Sequence, residues 1–248
     1  IFSRTGGNMG IGFAIPINMA KSVEEQLRSN GKVTRGWLGV AIQDMNEDLA
    51  QSFGVGKAEG ILVAEVTKGS PAEKAGILQG DILLSLNGAK LIDAADLRNR
   101  IAMITPGNKV MLGLIREGKR QKLSVIITEQ PADFSRATRI RARKNGGSSL
   151  EPLDNMGLTL QDLTAELAQQ FGYSKGQGVL ITQVAPDSPA DSVGIQPGQL
   201  IEEINRVRVH NVPELNNAIK QGKDPNQLLL RIRAGEFSKY VVLRAAKQ

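Results

Sequence analysis

The chain has no cysteine, one histidine, one tryptophan and two tyrosines among its 248 residues. Without thiols it can form no disulfide, no thiolate metal site and no cysteine nucleophile, and it is compatible with either redox compartment. No stretch approaches the roughly 18 consecutive apolar residues of a membrane helix. The chain opens IFSRTGG, with neither an initiator methionine nor a basic segment before an apolar run. No signal peptide is read there, and a fragment of a longer protein is expected. The single histidine, His210, is expected at the surface. A Ser–His–Asp triad needs a base positioned by a third group, and nothing near Ser70 or Ser188 offers one. There is no HExxH and no P-loop. The glycines of GGNMGIG (6–12) precede a strand-like FAIP instead of opening a helix after a strand. No catalytic residue, no metal site and no cofactor is therefore expected.

What the chain does have is an internal repeat. Gly39, Leu49, Phe53, Gly60, Ser70 and Pro71 recur as Gly157, Leu167, Phe171, Gly178, Ser188 and Pro189. Further along, Gly76, Gly80, Asn87, Leu97 and Ile101 recur as Gly194, Gly198, Asn205, Leu215 and Ile219. Every pair is offset by the same 118 positions (157 − 39 = 118 and 219 − 101 = 118). A gapless match over that distance means two copies of one fold, each of about ninety residues, which is enough for an independent core. The hydrophobic content of 41% and charged content of 23% are ordinary for globular domains.

In the first repeat, residues 37–45, 61–66, 81–88, 109–118 and 122–128 read as strands, rich in β-branched residues and bounded by turn formers. Residues 46–54 place Leu49 and Phe53 on one helical face. Ser70-Pro71-Ala72-Glu73 is a capping box with proline at the first helical position, and Gly76 stands at a left-handed C-cap. The second repeat has Ser188-Pro189-Ala190-Asp191 and Gly194 in the same places. The longest helices are expected at 93–104 and 211–221, each with an i, i+4 stripe, Leu97/Ile101 and Leu215/Ile219. Strands and helices in this ratio predict an α+β, mainly β class: two small, partly open β-barrels in tandem. The net charge of +6 is spread unevenly, with a basic patch between the repeats, where Arg136, Arg139, Arg141, Arg143 and Lys144 precede Gly146-Gly147-Ser148-Ser149. Residues 129–152 read as a flexible basic linker.

Arg35-Gly36-Trp37-Leu38-Gly39-Val40 opens the first repeat, and Leu153-Asp154-Asn155-Met156-Gly157-Leu158 opens the second. Two apolar positions around a glycine, at the lip of a strand, resemble the carboxylate-binding loop of PDZ domains. Successive backbone N–H groups around a glycine form an anion nest, and a free strand edge accepts an extended peptide. With SPAEKAG and DILLSLNG, the resemblance covers residues 35–128 and 153–246. The upstream segment GGNMGIGFAIPINMAKSVEEQLRSNGKVTRGWLG resembles the junction between protease and first PDZ domain in HtrA proteases of the DegP/DegQ type. On that resemblance, residues 1–34 are the terminal strand and connecting helix of a trypsin-like domain, 35–128 a first PDZ domain, and 153–248 a second. The family's GNSGG nucleophile motif and its catalytic His and Asp would lie upstream of Ile1.

The resemblance implies peptide-binding roles for Arg35, Trp37, Leu38, Gly39, Val40, Leu97 and Ile101. In the second repeat it implies Asn155, Met156, Gly157, Leu158, Leu215 and Ile219. There Arg35 becomes Leu153 and Gly36 becomes the acidic Asp154, which opposes a terminal carboxylate. The first repeat is therefore expected to be the receptor, and the second an assembly or docking module. The implied partners are C-terminal peptides and unfolded or misfolded envelope proteins, with a homo-oligomer in the full-length parent and a periplasmic location. Two alternatives stand beside this reading: the nicked half of an active serine protease, and a binder of anionic surfaces or nucleic acid through the basic linker. Membrane and nucleic-acid partners are not expected, because no aromatic residues interleave with the basic run.

Overall fold

A computed structural model describes residues 17–131, 153, 156–174, 176–222, 224 and 226–245. The strand expected within residues 1–16 and most of the expected linker lie outside the described residues. Helix α1 (Ile17–Asn30) precedes the first repeat. That repeat runs β1 (Gly36–Trp37), β2 (Val40–Asp44), α2 (Glu47–Ser52), β3 (Ile61–Val66), α3 (Pro71–Lys74) and β4 (Ile82–Leu86). It continues with β5 (Ala89–Lys90), α4 (Ala94–Ala102), β6 (Lys109–Arg116), β7 (Lys119–Ile126) and β8 (Thr128–Glu129). Its sheet has the order β2-β3-β4-β6-β7, with β5 beside β4, while β1 and β8 form a separate two-stranded pair. The second repeat runs β9 (Leu158–Asp162), α5 (Ala165–Phe171), β10 (Val179–Val184), α6 (Pro189–Ser192) and β11 (Leu200–Ile204). After these come β12 (Val207–Arg208), α7 (Val212–Lys220), β13 (Gln227–Ala234) and β14 (Phe237–Arg244). The order is β14-β13-β11-β10-β9, with β12 on β11. The α+β, mainly β class holds, in open sheets that leave β2 and β9 as edges.

Local chemistry explains where these elements depart from expectation. The strand expected over 37–45 is broken, because Gly39 has φ +82°. A Cβ there would stand 2.2 Å from the Ser70 Cβ, so only glycine fits. The strand expected at 122–128 begins earlier, at Lys119. Glu117 (φ 48°) and Gly118 (φ 76°) form a tight turn that folds β7 back on β6. Ser70 and Ser188 do cap their helices, accepting from Glu73 N–H at 3.1 Å and Asp191 N–H at 3.2 Å. The reciprocal half of the box is displaced by one residue: Glu73 accepts from Gly69 N–H at 2.6 Å, and Asp191 reaches back to Asp187 N–H.

Each repeat has its own core. Leu97 and Ile101 face Ile61, Leu83 and Leu112 in the first; Leu215 and Ile219 face Val179, Ile201 and Leu230 in the second. A third apolar cluster belongs to neither repeat alone. Met45, Leu49, Phe53, Leu62 and Ile82 of the first pack with Leu229, Tyr240 and Val242 of the second. The Phe53 and Tyr240 rings meet edge to face at 5.2 Å, and the Arg206 guanidinium lies 5.4 Å over Phe53. Strand β14 thus docks on β2, β3 and α2.

Polar groups set the register of that docking. The Gln43 amide donates to the Tyr240 carbonyl at 3.0 Å and accepts its N–H at 2.7 Å, copying one rung of a ladder. Arg233 spans the boundary, donating to Glu65 at 2.6 Å and to Glu202 at 2.5 Å. Arg231 donates to Glu202 at 2.6 Å, to Glu203 at 2.9 Å and to Gln79 of the first repeat. The Tyr240 hydroxyl donates to Glu203 at 3.1 Å and accepts from Gln79 at 3.0 Å. Glu202 is only 2% exposed, so its carboxylate oxygens are held by the two arginines rather than by water. A buried pair of this kind specifies geometry more surely than it adds stability.

Two outcomes follow from this interface. Phe53→Ala removes its central ring and is expected to cost about 3–5 kcal/mol. In calorimetry the coupled unfolding of the two repeats should then split into two transitions. Burial, followed by the Glu203 carboxylate, raises the Tyr240 hydroxyl above its ordinary value. The folded state holds this proton more tightly than the unfolded one, so the stabilisation is complete below the unfolded value of about 10 and falls as pH rises beyond it. Wild-type unfolding midpoints should fall more steeply than those of Tyr240→Phe between about pH 9 and about pH 11.

Candidate functional site

Between the free edge of β2 and helix α4 lies a cleft of about 300 Å³. Trp37, Leu38, Gly39 and Val40 form its head and one wall; Leu97 and Ile101 form the other. Helix α4 is placed by Asp93, whose side chain accepts from Asp96 N–H at 2.7 Å, and by Asp44, which accepts from Ala94 N–H at 2.7 Å. The loop at the head is pressed against the end of α4. A Cβ on Gly36 would stand 2.2 Å from the Ile101 carbonyl oxygen, so this approach needs glycine.

The head of the cleft is held by its carbonyls. Leu38 O accepts from Ala72 N–H and Gly39 O from Thr67 N–H, each at 2.9 Å. The Leu38 and Gly39 N–H groups make no backbone hydrogen bond among the described residues. Leu38 is 4% exposed, so water does not readily satisfy its amide, and two adjacent N–H groups in this position suit a carboxylate. Val40 and Ile42 remain partly exposed along β2, offering apolar contacts beside an unpaired strand edge.

Six of the seven residues assigned to this site from sequence meet in one cleft. Arg35 does not line it: its side chain is exposed, and its carbonyl is tied to Gln130 N–H at 3.0 Å. The cation that lines the cleft is Arg98, on α4 one residue after Leu97, with its Nε donating to the Ala94 carbonyl at 3.1 Å. Asn99, Ala102 and Gln130 also line it. Helical spacing, three residues back from Ile101 to Arg98 and four on from there to Ala102, could have pointed to both, but nothing local to Gln130 announces its return beside β1.

The second repeat builds the same framework and closes it. Met156 O accepts from Ala190 N–H at 3.1 Å and Gly157 O from Ala185 N–H at 2.8 Å, matching the first repeat. However, the Met156 N–H, which corresponds to that of Leu38, donates to the Leu153 carbonyl at 3.1 Å. Leu153 is fully buried, and Leu158 and Leu160 are 1% exposed where Val40 and Ile42 stay accessible. Leu215 and Ile219 lie in the same core. Asn155 and Asp154 lie outside the described residues.

His210 is half exposed on the approach to α7, where Glu214 accepts from its N–H at 2.9 Å and contacts its Nδ1 at 2.8 Å. These contacts, the side-chain bond first, lower the Glu214 carboxyl below its ordinary value. This is helix-end chemistry at the surface. Among the described residues no group of three or more His, Asp or Glu is placed to hold a metal ion.

The left-handed turn at Gly39 is the point on which the cleft head turns. Gly39→Ala combines a positive φ with a contact far inside van der Waals distance. The variant is expected to lower the urea midpoint and to displace the Trp37 indole, read as a shift of its fluorescence maximum. Gly31→Ala, which also has positive φ but open space around it, should lower the midpoint far less.

Residues 36–127 match the PDZ domain family, and residues 180–233 match a second PDZ family description. The chain is 42% identical over 246 residues to a probable periplasmic serine endoprotease, DegP-like, of Chlamydia muridarum, covering 99% of this chain and 46% of that protein. It is 36% identical over 247 residues to the protein of the same description from Ectopseudomonas mendocina, covering 100% and 51%. The chain thus spans about half the length of the curated relatives it matches. Among solved structures, the HtrA-type protease AlgW with decapeptide is 37% identical, with 53% of this chain and 40% of that chain covered and a TM-score of 0.46. The two PDZ matches and the alignment along essentially the whole chain establish that it belongs to the HtrA family of DegP-like serine proteases and carries two PDZ domains of that family.

Proposed function

We propose that the first PDZ domain, residues 35–128, captures proteins by their apolar C-termini, and that the second serves as a docking module. The pair of unpaired Leu38 and Gly39 amides at the head of an open apolar cleft carries this reading. A terminal carboxylate accepts from both amides, the preceding residues add a strand to the edge of β2, and the last side chain lies against Leu97 and Ile101. Arg98 at the wall, with Arg35 nearby in sequence, adds attraction for the terminal charge. In the second domain the amide matching that of Leu38 is already satisfied by Leu153, and the strand positions matching Val40 and Ile42 are buried, so the same mode of capture is disfavoured there.

Within a longer serine protease of this family, the pair would present unfolded or misfolded envelope proteins to the protease domain in the periplasm, and support a homo-oligomer. Peptide cleavage would belong to the upstream half. This chain alone is expected to leave casein intact.

Calorimetry on the whole chain tests the assignment, using a peptide with an apolar C-terminal residue and its C-terminally amidated twin. The acid form is expected to bind near micromolar strength, roughly −8 kcal/mol, with one site per chain. The amide should bind at least tenfold more weakly. Equal affinities would remove the carboxylate nest from the account, and two sites per chain would show that the second domain is also a receptor.

A further inference from the structure

A second cavity, of about 570 Å³, lies on the outer face of the first domain's sheet, outside the peptide cleft. Its origin shows when the two repeats are compared at the 118-residue offset. In the second domain this face carries Arg231, Glu203, Tyr240 and Glu202, which dock it on its neighbour. In the first domain the same positions are Gly113, Ser85, Lys122 and Leu84. Strand register confirms the match: Gly113 pairs with Ser85 and Lys122 where Arg231 pairs with Glu203 and Tyr240. Glycine stands where the second domain has an arginine side chain; the Ser85 hydroxyl takes the place a Cβ would fill, and the cavity opens beside it. The second domain covers part of this face, with Leu84 packed against the shared apolar cluster, and the cavity itself is lined by first-domain residues alone.

The chemistry of the face is inverted as well. The two carboxylates that hold Arg231 are replaced by a leucine and a serine, so the floor has become apolar, with Leu84, Leu91 and Leu114 lining it. Its rim is cationic: Lys90, Arg120 and Lys122, against one acid, Glu59, which pairs with Lys90 at 3.4 Å. Arg120 and Lys122 are exposed and make no ion pair among the described residues. The same face exposes Met111 and Ile126, at 42% and 60%. A cavity of this size falls within the range of roughly 300–1,000 Å³ typical of small-molecule sites. An apolar floor with unpaired cations at the lip fits a ligand with one anionic end and an apolar body.

We propose that this cavity is a second binding site, for a single-chain amphiphilic carboxylate. The acyl chain lies beside Ser85 and Gly113 against Leu84, and the carboxylate accepts from Arg120 and Lys122.

The probe is decanoate, titrated calorimetrically into the whole chain below its micelle concentration, with decan-1-ol and acetate as partial mimics. One decanoate per chain is expected, with decanol at least tenfold weaker and acetate silent. Arg120→Glu/Lys122→Glu should weaken decanoate at least tenfold. It should leave the unfolding midpoint and the affinity for a C-terminal peptide unchanged, because both side chains are exposed and remote from the cleft. Three results would each overturn the proposal: displacement of decanoate by the cleft peptide, decanoate affinity indifferent to the double charge reversal, or no saturable binding below the micelle concentration.

Discussion

Two backbone hydrogen bonds hold the head loop of each domain, and the rest of the functional surface depends on them. In the first domain Ala72 and Thr67 take the carbonyls of Leu38 and Gly39; in the second Ala190 and Ala185 take those of Met156 and Gly157. By fixing the carbonyls inward, the fold leaves the adjacent amides to find other partners. Ser70 and Ser188 make this possible twice over. Each caps the short helix that supplies the alanine donor, and each approaches so closely that the loop residue opposite must be glycine. A helix cap, a left-handed turn and a pair of anchored loop carbonyls are therefore one mechanical unit.

What the two domains do with that unit differs in a single amide. In the first, the chain before the loop is drawn away by β8, where Gln130 takes the Arg35 carbonyl, and the Leu38 N–H is left open. In the second, the buried Leu153 turns its carbonyl back on Met156. The sequence change from Arg35 to Leu153 works less through charge at the rim than through burial: an apolar side chain enters the core and carries its backbone with it. Electrostatic reasoning from Asp154 and this structural closure point the same way for different reasons.

The docking of the domains shows how a repeat diverges without losing its frame. Core positions are held alike, as at Leu97/Leu215 and Ile101/Ile219, because close packing punishes changes of volume. The outer sheet faces carry no such constraint. The second domain has placed arginines, glutamates and a tyrosine there and pressed them onto Phe53, Gln43, Glu65 and Gln79. Its own counterpart of Phe53, Phe171, is covered within the domain by Tyr173, which stands where the first domain has Val55. The first domain's outer face is covered by the second along β2 and β3 and stays open around Gly113, where the cavity lies.

The sequence by itself determined the repeat, the class of fold, the helix caps and most of the cleft. These are local or periodic properties: Ser-Pro-Ala-Glu caps a helix wherever it sits, and Leu97 with Ile101 makes a stripe at any helical spacing. The family followed from contiguous motifs. The tertiary structure alone decided three things. It placed Phe53 and Leu49 in an interface shared by both domains, although their spacing reads as ordinary core. It brought Gln130 and Arg98 to the cleft while leaving Arg35 outside it. It gave the Leu38 and Met156 amides opposite fates. Each of these depends on contacts between residues far apart in the chain, whose register is set by packing and by hydrogen-bond satisfaction rather than by neighbouring residues.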